Sequence, residues 1–428
     1  MISNVKKFIQ KTFSSLKIRN YRLYFTGQII STSGTFMQGV AQAWLVLKLT
    51  NSGTALGIVT ALQFLPLLLL GPSGGILADR FSKRKLLFAT QSASGMLAIV
   101  LGSLVLSGDV RLWIVYVIAL LLGLINTVDN PTRQTFISEM VGEGELKNAI
   151  ALNSTLMNLA RVIGPTIAGI LIVTVGLAPC FFFNGISFFA VVAVLAAMRS
   201  HELHRARRSH THGKFLDGFR YIVSKPVLRM TLIMMAIIGT LTYEFQVSLP
   251  LLAQMTFHGD ARSYAALTTA MGFGSVIGGV IAAGSKKIGP RIVVVSAFFF
   301  GLTIVLTAIM PTLHLSVMAM IVVGFFSIYF TSLGNATMQL GSAPEMRGRV
   351  MAFWSMAFLG STAIGGPIIG WIGEHIGPRW GLGVGGFAAI IAAALGAFTL
   401  KKERFGVHLS GDGVTTAHSL SEGDTSAL

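Results

Sequence analysis

Apolar runs of about twenty residues recur along almost the whole chain. They fall at 22–48, 54–78, 86–107, 112–134, 149–174 and 178–198, then at 227–252, 263–285, 291–310, 315–338, 350–373 and 380–400. A helix needs about 20 such residues to cross ~30 Å of hydrocarbon. Charged residues are only 11% of the chain, against about a quarter in a soluble domain, too few to cover a water-facing surface. The sequence therefore predicts an all-α membrane protein of twelve transmembrane helices in two six-helix bundles, 22–198 and 227–400. The basic linker 199–226 joins them. Residues 1–21 read as an amphipathic helix on the membrane surface, with Val5, Phe8, Ile9, Phe13 and Leu16 on one face and Lys6, Lys7, Lys11 and Lys17 on the other. The Ser/Gly/Thr-rich stretch 401–428 reads as a disordered tail.

The net charge of +17 would suit nucleic acid only on a soluble basic face, so no nucleic-acid partner is expected. The cations instead alternate by loop. Lys48, Arg111, Arg262 and Arg379 fall in one set of loops and Arg161 inside a span, while every other Lys and Arg falls on the opposite side. The positive-inside rule then puts both termini, the linker and the second-to-third loop in the cytoplasm.

The chain also repeats. Asn130-Pro-Thr-Arg-Gln returns as Asn335-Ala-Thr-Met-Gln, Gly164-Pro165 as Gly366-Pro367, and Gly74-Gly75 as Gly278-Gly279. Motifs recurring in order at nearly one offset indicate two halves related by a parallel repeat. Carriers built this way place their substrate site between the halves near the bilayer midplane.

The second-to-third loop reads Gly75-Ile-Leu-Ala-Asp79-Arg80-Phe-Ser-Lys83-Arg84-Lys85. It resembles the loop signature of the major facilitator superfamily, departing from it at Ser82, where the signature has glycine. The resemblance implies a cytoplasmic gate in which Asp79 accepts hydrogen bonds from the start of the eleventh helix near Gly348–Val350, and Lys83 pairs with Asp129. The second-half copy has lost the acid, so the latch is expected to be lopsided. Arg161-Val-Ile-Gly164-Pro165-Thr-Ile-Ala-Gly169 resembles the fifth-helix signature of proton-driven exporters. With Gly366 and Pro367 in the eleventh helix it implies a seal on the periplasmic side; ordinary glycine packing is the alternative. The stretch Asp129-Asn-Pro-Thr-Arg-Gln, with Asn148 to Asn153 and Asn158 to Arg161, is similar to the branch of enterobactin exporters and macrolide efflux proteins, the transmembrane secretion effectors. Unlike many drug antiporters, the chain has no charge between Arg111 and Asp129.

Two charges lie inside spans, and an intramembrane ionisable residue is a functional candidate by default. Glu244, in Tyr243-Glu-Phe-Gln246, is the leading candidate to exchange a proton; a wet vestibule or a structural pairing is its alternative. Arg161 is a pathway candidate or a structural partner of Asn or backbone carbonyls, and Asp129 and Gln246 complete the proton and substrate set. No catalytic constellation or Walker A sequence is present, so an enzyme is not expected. No cofactor is implied beyond the proton gradient as energy source. His201, His204, His210 and His212 lie among arginines without metal-site spacing and read as a lipid-facing linker, so no metal is expected. Cys180 is the single cysteine, which excludes an internal disulfide.

The resemblance implies a monomeric secondary transporter of the bacterial inner membrane that contacts lipid, protons and a small hydrophobic or amphipathic molecule such as a drug or siderophore. Export by proton antiport is the expected direction. Uptake by symport, or a non-transporting sensor or scaffold, is the alternative.

Overall fold

The computed structural model describes residues 13–204, 215–285 and 289–411. The lysine face of 1–12, the segment holding His210 and His212, Lys286–Lys287 and the tail beyond 411 lie outside the described residues. So do some individual side chains, Asp79 among them. The first half contains α1 (Arg19–Thr50), α2 (Gly53–Arg80), α3 (Lys83–Ser107), α4 (Leu112–Thr174) and α5 (Ala178–Ala197). The second contains α6 (Phe215–Ser224), α7 (Pro226–Leu241), α8 (Phe245–Leu251), α9 (Ala261–Gly284), α10 (Pro290–Ile309), α11 (Leu313–Leu340), α12 (Arg347–Ser355), α13 (Thr362–His375) and α14 (Pro378–Gly411). One π-turn, Leu252–Thr256, continues α8, and another, Met356–Gly360, joins α12 to α13. The described residues contain no strand.

Local chemistry sets the boundaries. Asp260 and Thr312 cap α9 and α11 by accepting from the backbone N–H three residues on. Prolines open α7 and α10 at Pro226 and Pro290, where the missing N–H costs nothing. Asn51 at φ 49° and Gly108 at φ 82° end α1 and α3.

Ten helical segments among the described residues are long and apolar enough to span a membrane, where the sequence predicts twelve. The difference has two sources. The fourth and fifth spans are not separated by a loop at 135–148 but run together as α4, 63 residues long. That is about 95 Å at 1.5 Å per residue, far more than one crossing needs. Gly142, at φ 67° and ψ −178°, breaks it into two arms. The first span, α1, is long enough at 32 residues but is not among the ten, being rich in polar side chains that turn inward: Gln28, Ser31, Thr32, Ser33, Gln38 and Gln42 are all buried. The outside of the molecule is correspondingly apolar, with Leu69, Met96, Leu106, Val280 and Phe398 more than half exposed, as a lipid-facing surface requires.

Within the first half α4 packs on α1, α2 and α3, and α5 on α1 and α3. Within the second, α11 packs on α9 and α10, and α14 on α7 and α10. The halves meet mainly through two helix pairs, α2 with α13 and α4 with α9. The repeat matches α2 to α9 and the second arm of α4 to α13, so these two contacts are copies of one another. Small residues allow both. A Cβ on Gly57 would stand 2.3 Å from the carbonyl oxygen of Gly366, one on Gly370 2.2 Å from that of Gly53, and one on Gly169 2.5 Å from Cβ of Ala265. Backbones this close exclude any larger residue.

Candidate functional site

A cavity of about 270 Å³ lies between the halves. The first half contributes Thr35 and Phe36 from α1, Gln63 from α2, and Arg161 and Pro165 from the second arm of α4. The second contributes Tyr243, Phe245 and Gln246 from the α7–α8 region, Tyr264, Thr268 and Ser275 from α9, Ser327 from α11, and Phe358 from the π-turn. Its walls are aromatic: the Tyr243 ring meets Phe358 edge-on at 4.9 Å and lies 5.3 Å from Phe300. The Tyr243 hydroxyl is occupied, donating to the carbonyl oxygen of Ser327 at 2.7 Å and bonding the Thr331 hydroxyl. Arg161 Cζ stands 5.9 Å from the centre of the Phe36 ring, within cation–π range.

Of the four residues the sequence singles out for the proton and substrate pathway, the structure brings Arg161 and Gln246 into this cavity and leaves Glu244 and Asp129 outside it. Glu244 does not sit within a continuous seventh helix. The chain leaves helical geometry between α7 and α8, and Glu244 is the first residue before α8. It is 2% exposed, in no ion pair, and its carboxylate oxygens make no well-formed hydrogen bond, although the Thr362 hydroxyl of α13 lies beside them. Its Oε1 lies 2.7 Å from where a Cβ on Gly365 would be, so it faces α13, back to back with Tyr243 and Gln246.

Asp129 is committed elsewhere. It is buried, pairs with Arg133 one turn on, and accepts from Thr90 Oγ1 at 2.6 Å and Gln91 Nε2 at 2.8 Å. Arg133 also donates to Gln28 Oε1 of α1 at 3.1 Å. The expected Lys83–Asp129 pair is therefore incorrect: Lys83 bonds Glu139 at 2.5 Å. The expectation failed because α4 does not end at 134. It continues another turn and more, presenting Glu139 to the loop and keeping Asp129 within the bundle. Arg133, which the charge pattern assigns to a loop, is for the same reason part of a buried network. Its spacing of four residues from Asp129 was the available signal.

The other gate residues are spread along the seams. Arg84 holds the end of α5, donating to the carbonyls of Leu195 at 2.8 Å and Ala196 at 3.1 Å and bonding Ser200. Arg80 is exposed and Gly75 has open space around it. Gly164 meets α1, where a Cβ would come within 2.6 Å of the Ser33 carbonyl and Phe36 Cβ. Gly169 abuts α9, while Gly366 and Pro367 abut Gly57 of α2.

A set of contacts that the sequence does not announce ties the halves together at the end away from the basic loops. Glu374 of α13 accepts from Ser52 Oγ at 2.7 Å and from the Thr54 backbone N–H at 2.8 Å. Ser52 also caps its own helix by accepting from the Ala55 N–H at 3.1 Å. Gln254 Nε2 donates to Asn51 Oδ1 at 3.0 Å, and the hydroxyls of Thr166 and Thr269 bond at 3.1 Å.

Two sets of long apolar helices with a cavity on their shared seam define a transporter of the major facilitator type. The family model described as transmembrane secretion effector matches residues 10–405, and the chain belongs to that family. The enterobactin exporter EntS of Citrobacter koseri is 24% identical over 88% of this chain and 90% of its own. The staphyloferrin A transporter of Staphylococcus aureus is 23% identical over 78% and 85%. Among solved structures, the nucleoside transporter NupG superposes with a TM-score of 0.72 at 13% identity, covering 88% of this chain and 99% of that one. An inward-facing bacterial homologue of the lysosomal transporter Spinster gives 0.70 at 13%, covering 89% and 97%. These two establish a shared fold. The protein is a transporter of the bacterial inner membrane, not an enzyme.

Proposed function

We propose that the chain exports a hydrophobic or amphipathic small molecule in exchange for protons, by alternating access across the inner membrane with both termini in the cytoplasm. The observation that carries this reading is the cavity itself, which is aromatic-walled, furnished with a few polar groups and shared by both halves. A substrate there touches both repeats, so rocking of one half against the other changes its exposure. The relatives named for enterobactin and staphyloferrin A support a substrate of siderophore kind. In this orientation the contacts of Glu374, Gln254 and Thr269 with the first half close the periplasmic end.

Glu244 is the proposed proton carrier. A buried carboxyl group with no ion-pair partner can take up or release a proton without first breaking a salt bridge to the protein. Tyr243 and Gln246 flank it and line the cavity, so a change at the α7–α8 break reaches the substrate directly. In everted vesicles energised to hold an acidic lumen, a transported macrolide or siderophore should release lumenal protons, read by a pH-quenched dye. Glu244→Gln should abolish that release while the protein still inserts. Equal proton release by wild type and variant removes Glu244 from the mechanism. Proton uptake into the lumen on substrate addition would favour symport.

A further inference from the structure

We infer that the transported molecule carries an anionic group and that Arg161 is the residue that reads it. This deepens the transport reading above and concerns the same cavity. Among the described residues, Arg161 is the one lining the cavity with a fixed charge, and no described Asp, Glu or Lys shares the lining. Ion pairs among the described residues leave it out, and its guanidinium makes no hydrogen bond to a described side chain or carbonyl. Its one contact of this kind is the Phe36 ring. The contrast with other arginines is direct. Arg133 is satisfied by Asp129 and Gln28, and Arg379 by the carbonyls of Ala308 and Met310 at 2.7 Å each. A cation held within the membrane without a counter-charge is costly to retain, and a planar guanidinium with its donors free is suited to a carboxylate, phosphate or phenolate-type oxygen pair.

The surroundings indicate the rest of the ligand. Phe36 braces one face of the guanidinium, while Met271, Ile328 and Phe358 offer apolar area for a flat ring. Gln63 from the first half and Gln246 from the second make no hydrogen bond to described residues, so their amides remain available to polar substituents. An anionic head beside an aromatic body fits all of these. A cationic amphiphile would face Arg161 with no acid to receive it.

The test uses the full chain in phosphatidylcholine nanodiscs. Cys180 is the sole cysteine and is fully buried, so a fluorogenic maleimide reports unfolding through it. Three probes of one shape and different charge are compared for thermal stabilisation: naphthoate, naphthamide and naphthylmethylammonium. The expected result is naphthoate binding at least about tenfold tighter than the other two, the scale of a charge-assisted hydrogen bond. Arg161→Gln should erase that preference and Arg161→Lys retain part of it. Equal binding of the three probes, preference for the ammonium, no stabilisation by any, or a preference that survives Arg161→Gln would each overturn the inference. An Arg161-dependent stabilisation produced by added phosphatidylglycerol and not by naphthoate would assign the cation to a lipid headgroup and also overturn it. Because the readout is binding, it can fail while proton-coupled export through Glu244 stands, and the reverse.

Discussion

Glu374→Gln should loosen the seal between the halves at the end away from the basic loops. In the structure the Glu374 carboxylate takes the Ser52 hydroxyl and the Thr54 N–H at 2.7 and 2.8 Å, across the first turn of α2, where the helix dipole favours an anion. Hydrogen bonds to a charged group are worth about 1.5–3 kcal/mol against about 0.5–1.5 kcal/mol for neutral ones, so two bonds lose roughly 2 kcal/mol when the charge is removed. The dipole term adds about 0.3–1 kcal/mol. Glu374 is partly exposed, and solvent screening reduces the total to about 1–2 kcal/mol. Only the state with this end closed loses that energy, so the population with it open should rise about five- to thirtyfold. Nitroxides at Asp109→Cys and Pro311→Cys, both exposed at that end on opposite halves, would report it as growth of the longer-distance population by electron–electron double resonance, with buried Cys180 left unlabelled. Ser52→Ala should shift the distribution less when added to Glu374→Gln, where it removes a neutral hydrogen bond, than when made alone, where it removes a charge-assisted one. An unchanged distance distribution, or full additivity of the two substitutions, would refute the reasoning.

Asp129→Asn should destabilise by about 1–3 kcal/mol, because it removes the counter-charge from the half-buried Arg133 and weakens its charge-assisted bond. The double variant Asp129→Asn/Arg133→Gln should recover part of the loss in thermal unfolding. Glu139→Lys should impair transport and Lys83→Glu likewise. The exchanged pair should restore activity in vesicle flux if the 2.5 Å contact is what matters. Gly57→Ala places a methyl group 2.3 Å from the Gly366 carbonyl and should cost about 1–3 kcal/mol by overpacking. The same double-resonance label pair should show the halves pushed apart.

The sequence by itself determined the environment, the two-half plan and the class. Each of these is written in local or periodic features: the length of an apolar run, a loop signature, a motif recurring after a fixed interval. It also marked Arg161 and Glu244 as charges inside the membrane. It could not say which way either faces, because that depends on how a helix is rotated against its neighbours and where it breaks. Only the tertiary structure turned Arg161 into the shared cavity and Glu244 away from it, at an interruption between α7 and α8 that no hydropathy pattern announces. Pairings between distant residues were likewise undecided. Lys83 meets Glu139 because α4 runs on past its apolar stretch, and Glu374 meets Ser52 because the packing of α13 on α2 brings together groups 322 residues apart in the chain. Side-chain chemistry limits which partners are possible, but the packed backbone decides which of them come within reach.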